Sequence, residues 1–424
     1  MKFYISSNSN ISKLISRLRI ASVFFFLVPL IMLGQSKTNT EEVVRKVADN
    51  IIRSTSFTFV NNKTGEKFES PKGKDTTSNV RAESSFNRWQ YVNGVLTVGM
   101  LRIADVLRDD KYSAYSRKNF DFIFNNLPYF KKIFEGGNNS VEYRPVFRIG
   151  SLDDCGSMSA GLLDVYQLDK KIEYMDYLNR VSDYILNKQV RFADGTLARN
   201  GPRRMTLWAD DLYMSVPYLA RMGKLTGEKK YFDFAIQQVE QFNKYIYDST
   251  TGLYFHCFYN DQNMNGVARW GRCNGWVAMA QTELINNLPA DHPKRNDLIR
   301  LLLRQIVGFS RFQDSTGMWH QLLDRPDSYL ESSVTAMFVY TIAKAVNEGW
   351  ISPRYMRIAQ LGWNALTKRV SADGQVPDVC IGTSIEEDIL YYYNRPKATN
   401  DTHGLGAFLM AGAEILKAET KKSP

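Results

Sequence analysis

The sequence predicts an all-α fold, a toroid in which six helical hairpins surround an axis. Amphipathic segments recur along the chain with apolar residues at every third or fourth position, whereas alternating β-branched runs are few. Regularly spaced turn signals follow several of them. The amphipathic segments are Arg88–Leu107, Ala114–Leu127, Tyr174–Asn187, Tyr231–Tyr247, Asn296–Phe312, Ser332–Glu348 and Arg354–Lys368.

The segment Tyr231–Tyr247 illustrates the helical periodicity. Its apolar stripe consists of Phe232, Ala235, Ile236, Val239, Phe242 and Ile246, and the polar residues Gln237, Gln238, Glu240 and Lys244 lie off that stripe. Such a stripe indicates a helix with one face on a core. The inner helices of a toroid are expected to be apolar nearly all round.

The turn signal that follows several segments is an aspartate and then a glycine. It occurs at Asp194-Gly195, Asp248 to Gly252, Asp314 to Gly317 and Asp373-Gly374, and both residue types favour tight turns. The glycines recur about every 57 to 65 residues, roughly the length of two helices and their connections. The repeating unit is therefore a helical hairpin, and six hairpins fit the chain.

The N-terminal residues predict a secretory signal peptide over 1–34. Lys13, Arg17 and Arg19 precede an apolar run from Ala21 to Leu33, which is too short to span a bilayer. No cysteine follows the run to accept a lipid, so we expect no membrane anchor and a periplasmic or extracellular protein. Residues 35–82 are expected to form a polar, loosely ordered lead-in, and residues 83–424 a single domain.

The charge balance is moderately basic. The formal net charge is +10, and four of the basic residues belong to the predicted signal. The excess suits an acidic ligand, although an ordinary solvated surface explains it equally well. No Lys/Arg block resembles a nucleic-acid patch, so no nucleic-acid partner is expected. The sequence leaves the oligomeric state open.

The four cysteines are Cys155, Cys257, Cys273 and Cys380. An even number in an oxidising compartment permits disulfides. Their spacing indicates no pairing, and a core of this size requires none. We expect free, buried thiols.

Aromatic residues make up 13% of the chain, and several fall in turn regions. An aromatic cup with scattered carboxylate, arginine and asparagine side chains suits a sugar, whose flat C–H faces stack on rings while its hydroxyls need polar partners. Filling a large core explains the same aromatics. Four polar segments are candidates for chemistry: Ser151–Gly156, Trp208–Leu212, Phe255–Cys257 and Trp270–Trp276.

Taken singly, these segments are weak signals, because pairs of aspartates are common helix caps. The spacing Trp-x-Arg-x-x-x-Trp is more specific, since it places two rings and a cation near one helix start. The motifs "WADDLYMSVPYLARM", "WGRCNGW", "GLYFHCF" and "GMWHQLLDRPDSYLESSVTAMFVYTIAKAV" resemble glycoside hydrolase family 105, the unsaturated rhamnogalacturonyl hydrolases. That family is similar to family 88, the unsaturated glucuronyl hydrolases. The likeness runs from about Trp89 to Ala413.

The resemblance implies an (α/α)6 barrel that releases a 4,5-unsaturated uronic acid from the non-reducing end of oligosaccharides left by polysaccharide lyases, with no cofactor or metal. It assigns the main catalytic carboxyl to Asp210, and a second one to Asp154 with Asp153 as the alternative. Asp211 stands where relatives often have glycine. The residues that would contact the acidic oligosaccharide are Trp89, Asp153, Trp208, Asp211, His256, Trp270, Arg272 and Trp276.

The chemistry explains why an acidic side chain would stand beside Trp208. The substrate is an enol ether, so protonation at C4 gives an oxocarbenium ion that water attacks at C5. Asp210 would donate this proton and must be neutral to do so. We therefore expect its pKa to be raised, by desolvation and by a neighbouring carboxylate, Asp154 or Asp211. Arg272 would pair with the uronate carboxylate, and His256 with a hydroxyl or the attacking water.

Other interpretations stay open. Cys155, His256, Cys257 and Cys273 are zinc-type ligands, and some helical toroids are zinc enzymes. A non-catalytic sugar-binding protein could also use this scaffold. Pro217 either kinks a helix that starts at Asp210 or lies in the first turn of a helix capped by Ser215. The segment 400–404 and the loop with Glu386 and Glu387 either rim the cup or serve as helix caps and turns.

Overall fold

The computed structural model describes residues 39–74, 77 and 79–421, and the predicted signal peptide lies outside them. The long helices alternate between an outer and an inner layer. The outer helices are α1 (Thr40–Arg53), α3 (Asp110–Glu135), α5 (Ile172–Asp183), α7 (Lys229–Ile246), α9 (Arg295–Ser310) and α11 (Met356–Thr367). The inner helices are α2 (Tyr91–Leu107), α4 (Leu152–Leu168), α6 (Val216–Thr226), α8 (Gly271–Asn287), α10 (Ser332–Asn347) and α12 (Thr402–Thr420).

The inner helices form a closed ring in the order α2, α4, α6, α8, α10 and α12, with α12 packed back on α2. Each outer helix packs mainly on one inner helix, and α1 packs on α12. This arrangement is the predicted (α/α)6 toroid, and the fold class is confirmed. Among the residues that the structure describes, none of the helices has the length and apolar character that a membrane span requires.

The predicted amphipathic segments are helical. The stripe predicted for α7 is buried along its whole length, and only Gln238 among its polar residues is also buried. The inner helix α8 is buried from Gly271 to Ile285, as expected of an inner layer. The predicted turns are also confirmed, because Gly195, Gly252, Gly317 and Gly374 all have positive φ, a conformation that glycine adopts without strain.

Residues 40–82 differ from the loosely ordered lead-in expected over 35–82. The helix α1 buries Val43, Val44, Val47, Ala48 and Ile51 in the core. These apolar residues recur at helical spacing within a polar sequence. The prediction relied on the overall polarity of the segment and therefore missed an outer helix. The strands β1 (Phe59–Asn61), β2 (Lys67–Phe68) and β3 (Val80–Ala82) follow it as an antiparallel sheet in the order β2-β1-β3.

Short elements lie between the long helices. The strands are β4 (Thr206–Trp208), β5 (Tyr247–Asp248), β6 (Leu253–Tyr254), β7 (Cys257–Tyr259), β8 (Met264–Asn265), β9 (Trp319–His320), β10 (Leu330–Glu331), β11 (Val379–Cys380) and β12 (Lys397–Ala398). The remaining short turns are helical: Ser85–Asn87, Arg144–Phe147, Tyr184–Lys188, Ala209–Leu212, Pro353–Tyr355 and Ile389–Tyr393. Of the sheets they form, β4-β7-β8 bears most directly on the candidate site.

Glycine lets the inner helix α4 approach the segment that carries the aspartate pair. A Cβ atom on Gly156 would lie 1.5 Å from the carbonyl oxygen of Met214, so only glycine fits. Pro217 lies in the first turn of α6, whose N-cap position is Ser215. The Ser215 hydroxyl makes no cap bond and instead donates to the carbonyl oxygen of Asp211 at 2.7 Å. Both contacts fix the chain that follows Asp210.

Candidate active site

The pairing of two short strands brings Asp210 and His256 together. β4 and β7 are antiparallel with Trp208 opposite Cys257, and the backbone N–H of Ala209 donates to the carbonyl oxygen of His256 at 2.9 Å. Asp210 follows β4 and His256 precedes β7. The two side chains therefore meet although they are far apart in the sequence.

His256 connects Asp210 to Tyr392. Its Nε2 lies 3.1 Å from Oδ2 of Asp210, and its Nδ1 lies 2.9 Å from the Tyr392 hydroxyl. That hydroxyl accepts the backbone N–H of Glu386 at 3.3 Å, which leaves its own proton for Nδ1. We therefore place a proton on Nε2, which donates to the Asp210 carboxylate. His256 is fully buried, with the Trp270 ring 4.7 Å away between centroids.

The pKa of Asp210 is lower than usual, which corrects the expectation of a raised value. Burial raises the pKa of Asp210, but the hydrogen bond from His256 and the charges of Arg199 and Arg272 outweigh burial and lower it. The side chain keeps 15% of its surface exposed. Asp210 is thus a carboxylate in the unliganded protein, with one edge accessible to a ligand.

Arg199 holds the other two carboxylates of the site, and the sequence motifs did not indicate it. Its Nε and Nη2 donate to Asp211 at 2.7 to 2.9 Å, and Nη1 and Nη2 donate to Asp153 at 2.7 and 2.9 Å. The guanidinium lies 4.4 Å from the centroid of the Trp208 ring. Burial raises the pKa of the fully buried Asp211 to about 6, against the opposing charge of Arg199. Asp211 and Asp153 therefore serve as partners of a cation.

Asp154 points away from this group, contrary to its assignment as the second catalytic carboxyl. Its Oδ2 accepts the backbone N–H of Gly150 at 2.9 Å and lies 3.9 Å from Arg144. Asp153, its neighbour in the first turn of α4, makes the contact with Arg199 instead. The geometry thus favours Asp153, the alternative kept open from the sequence, as the site residue of the pair.

Arg272 and its two tryptophans lie at the start of α8, as predicted. The Arg272 guanidinium lies 4.5 Å from the centroid of the Trp270 ring, and its charge acts on Asp210. Its Nη1 and Nη2 donate to the backbone carbonyls of Cys380 and Ile381. Arg272 is therefore held rigidly, with part of its donor capacity already used. The Trp276 ring packs on Tyr213 at 4.8 Å.

Trp89 is a packing residue in this structure, not a residue that lines the site. Its indole N–H donates to the carbonyl oxygen of Asp154 at 2.8 Å, and its ring packs edge-on against Phe120, Phe124 and Tyr177 of the outer helices. The ring of Tyr91, two residues later, packs against Trp276 instead. The helix α2 begins at Tyr91, and this start decides which ring faces inward.

The two segments left open as rim or cap contain helix caps, and both also contact residues near Asp210. Asp401 caps α12, and the adjacent His403 reaches the Tyr91 hydroxyl at 2.7 Å. The loop with Glu386 supplies the N–H that Tyr392 accepts, and Glu387 forms an ion pair with Arg203. The "DTHG" and "EEDILYYY" stretches were thus available signals for His403 and Tyr392. Nothing in the sequence marked Arg199 or Tyr91.

The proposed zinc ligands do not converge. All four cysteines are free and buried, as predicted, and both ring nitrogens of His256 contact Asp210 and Tyr392. Within residues 39–74, 77 and 79–421, no group of three or more His, Cys, Asp or Glu side chains could hold a metal ion. The zinc interpretation therefore has no ligand set in this part of the chain.

Known proteins support the resemblance. YesR, the unsaturated rhamnogalacturonyl hydrolase of Bacillus subtilis (strain 168), is 30% identical over 272 residues, which cover 63% of this chain and 77% of that protein. An unsaturated 3S-rhamnoglycuronyl hydrolase of Alteromonas sp. (strain LOR) is 31% identical over 218 residues, 49% of this chain and 51% of that protein.

A solved structure shows the same fold. The crystal structure of a possible member of the GH105 family from Salmonella enterica serovar Paratyphi A matches with a TM-score of 0.73 at 23% identity, over 91% of this chain and 95% of that one. The profile of Glycosyl Hydrolase Family 88 matches residues 66–419, most of the sequence. The resemblance seen in the motifs is therefore confirmed, and the chain belongs to Glycosyl Hydrolase Family 88.

Proposed function

We propose that this glycosidase removes a 4,5-unsaturated galacturonyl or glucuronyl residue from the non-reducing end of lyase-generated oligosaccharides, by hydration of the C4=C5 bond. The observation that carries the proposal is the pairing of Asp210 with an imidazole. An ordinary glycosidase needs a carboxylic acid and a second carboxylate on either side of the bond. Here Asp211 and Asp153 are bound to Arg199, whereas Asp210 pairs with the imidazole of His256 and keeps an exposed edge.

Substrate binding supplies the protonation that the unliganded site lacks. The uronate brings a negative charge into the site and covers the exposed edge of Asp210. Like charge and desolvation both raise a carboxyl pKa. Asp210 therefore takes up a proton as the substrate binds, and the positive charge of Arg272 offsets the charge of the uronate.

The chemical steps then follow from one carboxyl group. Asp210 transfers its proton to C4, and positive charge develops on C5 and the ring oxygen. Water adds at C5 and gives its proton to the Asp210 carboxylate. The C5 hemiketal opens, and the C1 hemiacetal that results expels the shortened oligosaccharide. The hydrogen bond from His256 holds the Asp210 carboxylate in one orientation through both proton transfers.

A spectroscopic assay tests the proposal. The conjugated double bond absorbs near the ultraviolet edge, and the wild-type protein should remove this absorbance from lyase-treated acidic polysaccharides. Asp210→Asn should lose about 10²- to 10⁴-fold in rate while still binding the substrate. Asp176→Asn, on the exposed face of α5, is the matched control and should retain full activity.

Measurements on the wild-type protein and on Asp210→Asn together distinguish a hydrolase from a non-catalytic sugar-binding protein. Full activity of Asp210→Asn would refute the assignment of the acid. A wild-type protein that binds lyase products without consuming the double bond would indicate the non-catalytic alternative. A panel of lyase products that differ in the uronate and in the adjacent sugar would identify the substrate.

We also propose that the enzyme acts in the periplasm or outside the cell. The support is the sequence alone, with Lys13, Arg17 and Arg19 before the apolar run Ala21 to Leu33. The expected mature N-terminus lies near residue 35. N-terminal sequencing of protein purified from cell fractions tests this, and an uncleaved chain in the cytoplasm would contradict it.

A further inference from the structure

Tyr392 contacts the candidate site through His256, and the mechanism above gives it no role. It belongs to the short helical turn Ile389–Tyr393, and its side chain is fully buried. Its hydroxyl lies 2.9 Å from Nδ1 of His256, whereas Nε2 of the same ring faces Asp210. The hydroxyl also accepts the backbone N–H of Glu386 at 3.3 Å. A change at Tyr392 therefore acts on Asp210 through the imidazole.

The chain around Tyr392 is held by contacts that do not involve the ring of His256. The backbone carbonyl of Tyr392 accepts the side-chain amide of Gln321 at 2.9 Å. Ile385, in the loop before the turn, packs in a small buried cluster with residues of β4 and β7, namely Trp208, Cys257 and Tyr259. The Tyr392 hydroxyl is therefore presented to the imidazole from a fixed position.

The direction of the bond between Tyr392 and His256 follows from the protons available. Burial raises the pKa of Tyr392, so the phenol keeps its proton. The backbone N–H of Glu386 can only donate, and the phenol proton therefore has Nδ1 as its acceptor. Nδ1 accepts only when it carries no proton, which places the ring proton on Nε2. Nε2 then donates to Oδ2 of Asp210 at 3.1 Å.

The opposite placement of the ring proton is unfavourable on both sides of the imidazole. A proton on Nδ1 would leave the proton of the Tyr392 phenol without its acceptor. Nε2 would then present a lone pair to the carboxylate of Asp210, and two acceptors repel each other. The phenol thus selects one of the two tautomers of the His256 ring.

The choice of tautomer matters once Asp210 is protonated. In the proposed reaction, this carboxyl group must release its proton to C4 of the substrate. An Nε2 atom without a proton would accept a hydrogen bond from the carboxyl group and hold the acid proton away from the substrate. An Nε2 atom that carries a proton cannot accept. With Nε2–H bound to Oδ2, the acid proton is placed on the other oxygen, Oδ1.

We propose that Tyr392 is a positioning residue for the catalytic acid. It fixes the ring proton of His256 on Nε2 and thereby keeps the proton of Asp210 on the oxygen that does not face the imidazole. The inference rests on the proposed function of Asp210, and it adds a residue that acts through another side chain.

The other titratable groups nearby keep their charges when the Tyr392 hydroxyl is removed. Arg199 and Arg272 act on Asp210 and are charged at every working pH. Asp211 has a pKa of about 6, and its hydrogen bonds go to Arg199, so the hydroxyl does not affect it. Burial raises the pKa of each remaining group, so these groups are neutral: Cys257, Tyr259, Cys273 and Tyr91. Tyr392→Phe therefore removes one hydrogen bond and no charge.

The test is the pH profile of kcat and kcat/KM for Tyr392→Phe, measured by loss of the ultraviolet absorbance. Without the phenol, the ring proton can move to Nδ1, and Nε2 then binds the protonated carboxyl group of Asp210. The acid form becomes more stable, so the alkaline limb of kcat/KM should move to higher pH by about 0.4 to 1 unit, the equivalent of one neutral hydrogen bond. The same bond withholds the proton, so kcat should fall about two- to tenfold, while KM should not rise.

The neighbouring tyrosines are matched controls, because each loses a hydroxyl group from the same turn. The hydroxyl of Tyr391 accepts the backbone N–H of Ser384 at 3.0 Å, and that of Tyr393 donates to Asp327 at 3.0 Å. Tyr391→Phe and Tyr393→Phe should leave kcat and the alkaline limb unchanged. An equal shift in either control would show that the turn acts through its fold, and this would overturn the proposal.

The position of the ring proton is measured directly by ¹⁵N NMR of protein labelled at its histidines. The chain has four histidines, and the spectrum of His256→Phe identifies the signal of His256. In the wild type, Nε2 should carry the proton, and in Tyr392→Phe both tautomers should be populated. A wild-type signal with the proton on Nδ1 overturns the proposal, even if Tyr392→Phe does not fold.

The failure of this inference is distinguishable from the failure of the proposed function. A wild-type protein without activity would refute the proposed function, whereas NMR would still locate the ring proton of His256. An active wild type in which Tyr392→Phe leaves the pH profile unchanged would refute this inference alone.

Discussion

His256→Phe is expected to move the pH dependence of catalysis upward. In the wild type, the bond between Nε2 of His256 and Oδ2 of Asp210, 3.1 Å long, stabilises the carboxylate over the acid. Phenylalanine fills most of the same volume between Trp270 and Tyr392 but cannot donate. The carboxylate then loses its principal partner, and the pKa of Asp210 should rise.

The magnitude follows from the strength of one charge-assisted hydrogen bond. Such a bond contributes about 1.5–3 kcal/mol, and one pH unit corresponds to about 1.4 kcal/mol. The pKa of Asp210 should therefore increase by about one to two units. Since protonated Asp210 is the active form, kcat/KM falls as pH rises through the pKa of the free enzyme, and this alkaline limb should move upward by the same amount.

The assay is the pH profile of kcat/KM and of kcat at constant ionic strength. In the wild type, the limb of kcat should lie at higher pH than that of kcat/KM, because the bound uronate raises the pKa of Asp210. The absolute rate of His256→Phe should fall, since the carboxyl group is no longer oriented. A limb that stays in place or moves to lower pH would refute the role given to His256, whatever the loss in rate.

Two further predictions concern the carboxylates around Arg199. Arg199→Met should destabilise the fold by about 3–5 kcal/mol, because it leaves Asp211 buried without a partner. The pKa of Asp211 should then exceed about 6, so the loss of stability should grow as pH rises from about 4 towards 7. Adding Asp211→Asn should recover part of the lost stability, measured by chemical unfolding. Asp153→Asn should reduce kcat/KM more than Asp154→Asn, because Asp153 holds Arg199 whereas Asp154 bonds to Gly150; a larger loss for Asp154→Asn would restore the original assignment.

The sequence predicted the outer layer better than the inner one, for a physical reason. The helices α3, α5, α7, α9 and α11 bury one stripe, so a polar face alternates with an apolar face and their periodicity is visible. The inner helices α4, α6, α8 and α12 are largely buried all round, and a uniform environment leaves little periodicity to detect. Gln238 is a polar residue of α7 that is buried. Its amide oxygen accepts the N–H of Leu197 from a loop, and the sequence of α7 alone could not predict this contact.

The chemical groups of the site were easier to predict than their orientation. The Asp210 and His256 motifs were identified, but only the pairing of β4 with β7 shows that the two residues share a hydrogen bond. In the structure, Asp153 and not Asp154 contacts Arg199, and Tyr91 rather than Trp89 reaches the ring of Trp276. On a helix, a change of one residue rotates a side chain by about 100°, so the start of α2 or α4 decides which neighbour faces the site.

The lowered pKa of Asp210 has a consequence for the whole reaction. An acid whose pKa is raised by permanent burial would be protonated before the substrate binds. Asp210 instead stays ionised next to His256, and it becomes an acid only when a second anion enters the site. Two carboxylates confined together cannot both remain ionised at low cost, so proton uptake and uronate binding are coupled. A neutral sugar would raise the pKa of Asp210 by desolvation alone and so protonate it less, and we expect the site to select for the charge of its substrate as well as its shape.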